Sequence, residues 1–197
     1  YEFIEILVNN ETYGGGGIFG QFSTAAASND WAKYLFVHEF GHHFAGLADE
    51  YYTSPVAYQT GAEIMTEPWE PNVTALKNTD QLKWKKLVDA KTSLPTSWPK
   101  EEYETASRAY QKIRTELRKA NRPESEMNAL FHMDLLETNK LFSKAPHRHK
   151  IGAFEGANYE AKGYYRSEMQ CLMFDRSDRF CQVCQEGITT IIDLYVK

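Results

Sequence analysis

Apolar and polar residues alternate in short bursts along this chain, and the period changes from one stretch to the next. Residues 3–8, Phe-Ile-Glu-Ile-Leu-Val, are β-branched and aromatic with partial alternation, which predicts a strand. Trp31, Leu35, His38 and His42 fall on one face at helical spacing. They predict a helix that starts at Asn29 or Asp30, with Asp30 as its N-cap, and stops at Gly46. Residues 53–75 carry Pro55, Pro68 and Pro71 and read as irregular, 78–90 read as a capped helix, and 92–100 as a linker. Steps of three and four then join Tyr103, Ala106, Tyr110, Ile113, Leu117 and Ala120, and a second helix over about 124–143 completes a helical hairpin. The region 100–145 reads as an insertion that packs on the domain or on a partner and carries no chemistry of its own. Residues 151–177 are rich in glycine and turns, and a last helix places Phe180, Cys184, Ile188, Ile191 and Tyr195 on one face. Short strands with helices at the end predict an α+β fold, one domain over 1–197.

Composition narrows the classes. The 197 residues, 42% of them hydrophobic, suffice for one good core. A formal net charge of -5, with no basic block and no RNA-reading motif, argues against nucleic acid as a partner. The apolar runs are far shorter than a membrane span. The opening residues, YEFIEILVNN, lack the basic start and cleavage site of a signal peptide and read as a strand under way, so the sequence is expected to begin inside a longer protein. Cys171, Cys181 and Cys184 lie within 14 residues and predict one disulfide plus a free thiol. A structural zinc site would need a fourth ligand, and none stands nearby in the sequence.

Half of the six histidines sit in VHEFGHHFAGLADEYY, residues 37–52. His38-Glu39-Phe40-Gly41-His42 is an HExxH pattern. Residues four apart lie one turn apart on one helix face, so both imidazoles can reach one zinc ion. Glu39 projects beside that metal, where it can take a proton from bound water. In metzincin enzymes the pattern continues to a glycine that breaks the helix and to a third ligand three residues later. Gly46 comes one residue later than that pattern puts it, but the step from Gly46 to Asp49 matches. Glu50 is an alternative oxygen ligand; His43 is rotated about 100° from His42 and cannot easily share the zinc. A methionine in a turn before a C-terminal helix is the second metzincin feature. Met173 fits it, with Met169 as the competitor.

Together, HEFGHHFAGLADEYY, EPWEPNVT with LKW, FEGANYEAKGYYRSEMQCLMF and FCQVC resemble the IgA-peptidase family of metzincin-like zinc metallopeptidases, metallopeptidase family 64. The resemblance runs from YGGGG to the last helix, interrupted by the hairpin. It implies a secreted or cell-surface bacterial endopeptidase that takes Zn2+ at His38, His42 and Asp49, with Glu39 as general base and Met173 in the turn below the metal. Protein or peptide is the implied partner. Only 37 residues precede His38, short for the upper half of a metzincin domain, so an N-terminal part is expected to be missing.

YGGGGIF, residues 13–19, reads either as an edge strand above the cleft, where glycines admit close backbone approach, or as a loop. Tyr159, Tyr164 and Tyr165 are candidates to stabilise the oxyanion, and Tyr165 beside Arg166 is the first choice. Pairing Cys171 with Cys181 or Cys184 would tie the Met173 turn to the last helix. Asn72 and Trp69 have only a turn-forming rationale. The rival class is a binding or adhesin module that keeps the fold without the chemistry; the presence of His38, Glu39 and His42 together argues against it.

Overall fold

The computed structural model describes residues 3–53 and 66–196; Pro55 and most of the irregular stretch around it lie outside them. Strand β1 (Glu5–Val8) pairs in parallel with β3 (Phe22–Ala26), and β2 (Gly15–Ile18) pairs antiparallel with the other side of β3. The order β1-β3-β2 leaves β2 on an edge. Small residues let the next helix, α1 (Ala32–Ala45), lie directly on this sheet: Ala25 and Ala26 of β3 pack against Leu35. On β2 even a methyl group is too large. A Cβ at Gly17 would lie 2.3 Å from the Glu39 carbonyl oxygen and 2.8 Å from the His42 Cβ. The glycine run is therefore a strand edge pressed against α1, as the first of the two sequence readings has it.

Helix α1 is not capped by Asp30. The Asn29 side chain accepts from the Trp31 N–H at 2.8 Å and donates to the Glu11 carbonyl, and regular helix begins at Ala32. The end is as expected. Gly46 sits in the left-handed region with φ 59°, and the N–H groups of Gly46 and Leu47 close onto the carbonyls of His42 and Gly41.

A second sheet follows the helix. Strands β4 (Val73–Thr74), β5 (Phe154–Ala157) and β6 (Glu160–Arg166) are antiparallel in the order β4-β6-β5. The stretch read only as turn-rich thus contains a hairpin. Asn158 and Tyr159 turn it with φ 51° and 65°, the positive values a two-residue hairpin turn needs. Their N–H groups donate to the carbonyls of Asp49 and Tyr51, which fixes the turn on the loop after α1.

Residues 78–90 form two 3-10 turns, Thr79–Gln81 and Lys85–Leu87, rather than the capped helix the sequence suggests. Tertiary contacts override propensity here. Trp84 is buried with its indole N–H on the Gly152 carbonyl at 2.7 Å, and the Lys83 ammonium gathers the carbonyls of Pro68, Glu70 and Val73.

Helices α2 (Lys100–Lys119) and α3 (Glu124–Phe142) form the expected hairpin. The inward face of α2 is turned from the apolar stripe. Tyr103, Ser107 and Tyr110 are buried, whereas Ala106 and Ile113 are exposed. Polar contacts set this rotation: Ser107 donates to the Thr53 hydroxyl at 2.7 Å and Gln111 to the Thr53 carbonyl at 2.6 Å. The final helix, α4 (Gln182–Tyr195), closes the main core, in which Leu47, Trp84, Phe142, Phe154, Met173 and Cys184 belong to one buried cluster. No helix among the described residues is long and apolar enough to cross a membrane.

Candidate metal centre

The geometry of α1 brings His38 and His42 to one face, and the left-handed turn at Gly46 returns the chain so that Asp49 meets both. His38 Nε2 lies 3.0 Å from Asp49 Oδ1, His42 Nε2 lies 3.2 Å from the same oxygen, and the two Nε2 atoms are 3.3 Å apart. Four-coordinate zinc with bonds of about 2.0–2.1 Å to nitrogen and oxygen sets its ligand atoms about 3.3–3.4 Å apart. The three atoms form a nearly equilateral triangle of close to that size, so these residues fit such an ion.

The outer ring nitrogens are spoken for. His38 Nδ1 lies 3.0 Å from the Leu172 carbonyl and 3.2 Å from the Tyr34 hydroxyl, and His42 Nδ1 lies 2.5 Å from the Leu47 carbonyl. A carbonyl can only accept, so each ring carries its proton on Nδ1 and turns Nε2 toward the centre. Burial opposes charge on His42, but the Asp49 carboxylate outweighs it and raises the imidazole to about 9. Burial likewise works to raise Asp49, and the two imidazoles overcome it and hold the carboxyl well below its ordinary range.

Glu39 projects beside the triangle and is buried. Burial raises its carboxyl above the ordinary value, while His38 and His42 pull it down. The Gly15 backbone covers it closely, since a Cβ there would lie 2.8 Å from Glu39 Cγ. Met173 is fully buried beneath the helix, with its sulfur 3.1 Å from where a Gly41 Cβ would stand. Met169 is buried in the same core.

The other sequence candidates separate cleanly. Glu50 turns away from the histidines and into a pocket formed by the three cysteines. His43 faces the first sheet and bridges it, with the Ile4 N–H on one ring nitrogen and the Ile18 carbonyl on the other. Tyr165 is not brought to the cluster: it lies on β6, opposite Thr74 and Glu155. Among the described residues the tyrosines lining the cleft are Tyr51 and Tyr159, and the Tyr159 hydroxyl donates to Asp49 Oδ2. Asn72, left with a turn-forming rationale, clamps the ligand loop. It accepts from the Ala48 N–H at 2.8 Å and donates to the Ala48 carbonyl and Glu50 Oε1 at 2.9 and 3.0 Å. Trp69 is 66% exposed and lines the cleft next to Phe19. The expected disulfide is absent. All three cysteines are free and buried, and the sulfurs of Cys171 and Cys184 are 3.6 Å apart, against about 2.05 Å for a bond.

The hairpin has a part in the site that its sequence did not suggest. A cavity of about 270 Å³ opens beside His38 and Glu39, walled by Tyr103, Tyr110 and Arg114 of α2, Asp134 and Thr138 of α3, and Arg176.

Fold and cluster together define a class: a mixed α+β domain with a candidate metal centre in an open cleft next to a buried carboxylate. The chain belongs to the IgA peptidase M64 family, whose model matches residues 1–192. It is therefore a peptidase of a family of metallopeptidases, and protein or peptide is its substrate. No curated protein matches the chain.

Proposed function

We propose that this chain is a zinc-dependent endopeptidase with a metzincin-like catalytic domain, acting on proteins outside the cell. The observation that carries the reading is the convergence of His38 Nε2, His42 Nε2 and Asp49 Oδ1 to within 3.0–3.3 Å of one another beside Glu39. Met173 packed under Gly41 supports the metzincin-like part. The extracellular, bacterial setting rests on the family resemblance. A zinc ion held by the three ligands supplies Lewis acidity and a water of lowered pKa.

The chain's own residues do the rest. Glu39, with its carboxyl raised by burial, takes a proton from the attacking water and passes it to the departing amine. Leu172 and Leu47 hold the imidazoles in the ligating tautomer through their carbonyls. The free edge of β2 pairs with an extended substrate, and its glycines bring that backbone close to Glu39. The cavity beside Glu39 receives a substrate side chain. The phenols of Tyr51 and Tyr159, rather than Tyr165, are the groups within the cleft for the developing oxyanion, while Tyr159 also orients Asp49.

The test is metal analysis combined with cleavage of a peptide library. The wild-type protein should bind zinc and cleave, Glu39→Gln should keep the wild-type zinc content and lose cleavage by at least about 10²-fold, and His38→Ala should lose one zinc ion per chain together with cleavage. Cleavage by Glu39→Gln at the wild-type rate would overturn the assigned base.

A further inference from the structure

Cys171, Cys181 and Cys184 meet Glu50 in the core, on the far side of the ligand loop from the histidines. All four side chains are buried, and one ligand atom from each lies within 4.8 Å of every other. Cys171 Sγ is 3.6 Å from Cys184 Sγ, and Glu50 Oε1 is 3.7 Å from Cys181 Sγ and 3.3 Å from Cys184 Sγ. For a tetrahedral zinc ion with bonds of about 2.3 Å to sulfur and 2.0–2.2 Å to oxygen, the sulfur–sulfur edge is about 3.8 Å and the sulfur–oxygen edge about 3.5 Å. The spacings match those edges, are too long for a disulfide, and unite donors up to 134 residues apart in the chain.

Hydrogen-bond donors are aimed at two of the three sulfurs. Cys171 Sγ accepts from the N–H groups of Met173 and Cys181, at 3.4 and 3.2 Å. Cys181 Sγ accepts from the Cys184 N–H at 3.4 Å and from the Ser167 hydroxyl at 3.3 Å. Donors aimed at sulfur stabilise negative charge there. Glu50 is fully buried, is oriented by Asn72, and its second oxygen, Oε2, has no hydrogen-bond partner. A carboxylate in that position is costly unless something positive meets it. The donor set, three sulfurs and one oxygen converging within 4.8 Å of one another, suits zinc, and four protein ligands would close the shell as in structural rather than catalytic sites.

We propose that Glu50, Cys171, Cys181 and Cys184 form a second, structural zinc site. The assignment does not rest on the hydrolytic reading. Its role follows from what it joins: Glu50 belongs to the loop that carries Asp49, Cys171 lies two residues before Met173, and Cys181 and Cys184 open α4.

The test uses the whole chain purified aerobically without chelator. Elemental analysis should give about two zinc ions per wild-type chain and about one in the His38→Ala/His42→Ala double variant. Replacing the metal with cobalt(II) should give a thiolate-to-cobalt charge-transfer band in both proteins. Cys184→Ser should lose that band, and if this variant fails to fold, the band in the double-histidine variant decides. Mass analysis after denaturing alkylation should count three free thiols. A double-histidine variant that folds with no zinc and no cobalt band would overturn the proposal, as would iron in place of zinc or a wild-type chain with only one alkylatable thiol.

Discussion

Gly17 offers a test of how tightly the edge strand is seated on the helix that carries His38 and His42. In Gly17→Ala the new methyl carbon would stand 2.3 Å from the Glu39 carbonyl oxygen, 2.8 Å from the His42 Cβ and 3.2 Å from the Glu39 carbonyl carbon. Two of these atoms are helix backbone and cannot rotate away. Restoring an ordinary contact of about 3.3 Å requires β2 to move off α1 by about 1 Å. Overpacking of this kind costs about 1–3 kcal/mol. A 1 Å displacement of a substrate-positioning element costs about 10²-fold in turnover. The neighbouring glycine is the internal control, because a Cβ at Gly16 meets only the Thr24 hydroxyl, at 4.0 Å. Gly16→Ala should be neutral or stabilising by up to about 1 kcal/mol, through the unfolded chain. Urea unfolding and peptide cleavage would be measured for both variants in parallel. If Gly17→Ala matches Gly16→Ala in stability and rate, the strand is not held against the helix as described.

Other consequences are open to measurement. Asn72→Ala strips three side-chain hydrogen bonds from the buried Ala48 backbone and Glu50; urea midpoints should show a loss of about 2–5 kcal/mol, and a loss below about 1 kcal/mol would contradict the clamp. Trp69→Ala should raise KM for extended peptides with less than about 1 kcal/mol change in stability; an unchanged KM would remove this side chain from the substrate track. Asp134 gives a pH dependence. Burial, with Asp175 and Glu137 adding to it, pushes the carboxyl up to about 6 against the pull of Arg176 and Arg114. The folded chain then holds a proton that the unfolded chain, with an ordinary carboxyl near 3.8, has released. This contribution is fully present below the unfolded value and is lost as pH rises through about 6. Relative to wild type, Asp134→Asn should therefore gain about 1–3 kcal/mol between pH 4 and pH 7; a constant difference across a urea series would refute the shift.

The first cluster was legible because helical spacing is local. Four residues separate His38 from His42, and a glycine-to-acid step places Asp49, so periodicity and one turn suffice to assemble three donors. The same reasoning fails where a side chain's role is fixed by distant backbone. Tyr159 reaches Asp49 because Asn158 and Tyr159 adopt positive φ in a hairpin turn, a conformation that Asn favours but that Tyr does not announce. Tyr165, more suggestive beside Arg166, alternates onto β6 away from the cleft. Arg166 itself is buried against the rings of Trp98 and Phe174. Helical propensity at 78–90 loses to the burial of Trp84, and the apolar stripe of α2 loses to the polar anchors at Thr53. The fourth donor beside the cysteines was invisible in sequence because it lies 131 residues before Cys181.

The consecutive acids Asp49 and Glu50 explain why one short loop matters to both clusters. Their side chains leave the backbone on opposite sides, Asp49 toward α1 and Glu50 toward the cysteines. The backbone between them is held from two directions: the Asp49 carbonyl accepts from Asn158, and the Glu50 N–H donates to the Met173 carbonyl at 2.8 Å. Leu172, next to Met173, supplies the carbonyl that orients His38. The segment around Cys171–Met173 therefore touches the first cluster through His38 and the second through Cys171, while Glu50 joins it to the loop that carries Asp49. A site that must hold its ligands to a few tenths of an ångström needs supports with little freedom of their own. Fastening both the loop that carries Asp49 and the turn beneath the helix to the same buried group of four side chains restricts that freedom at its source, which gives the cysteine cluster a reason to sit directly behind the proposed catalytic one.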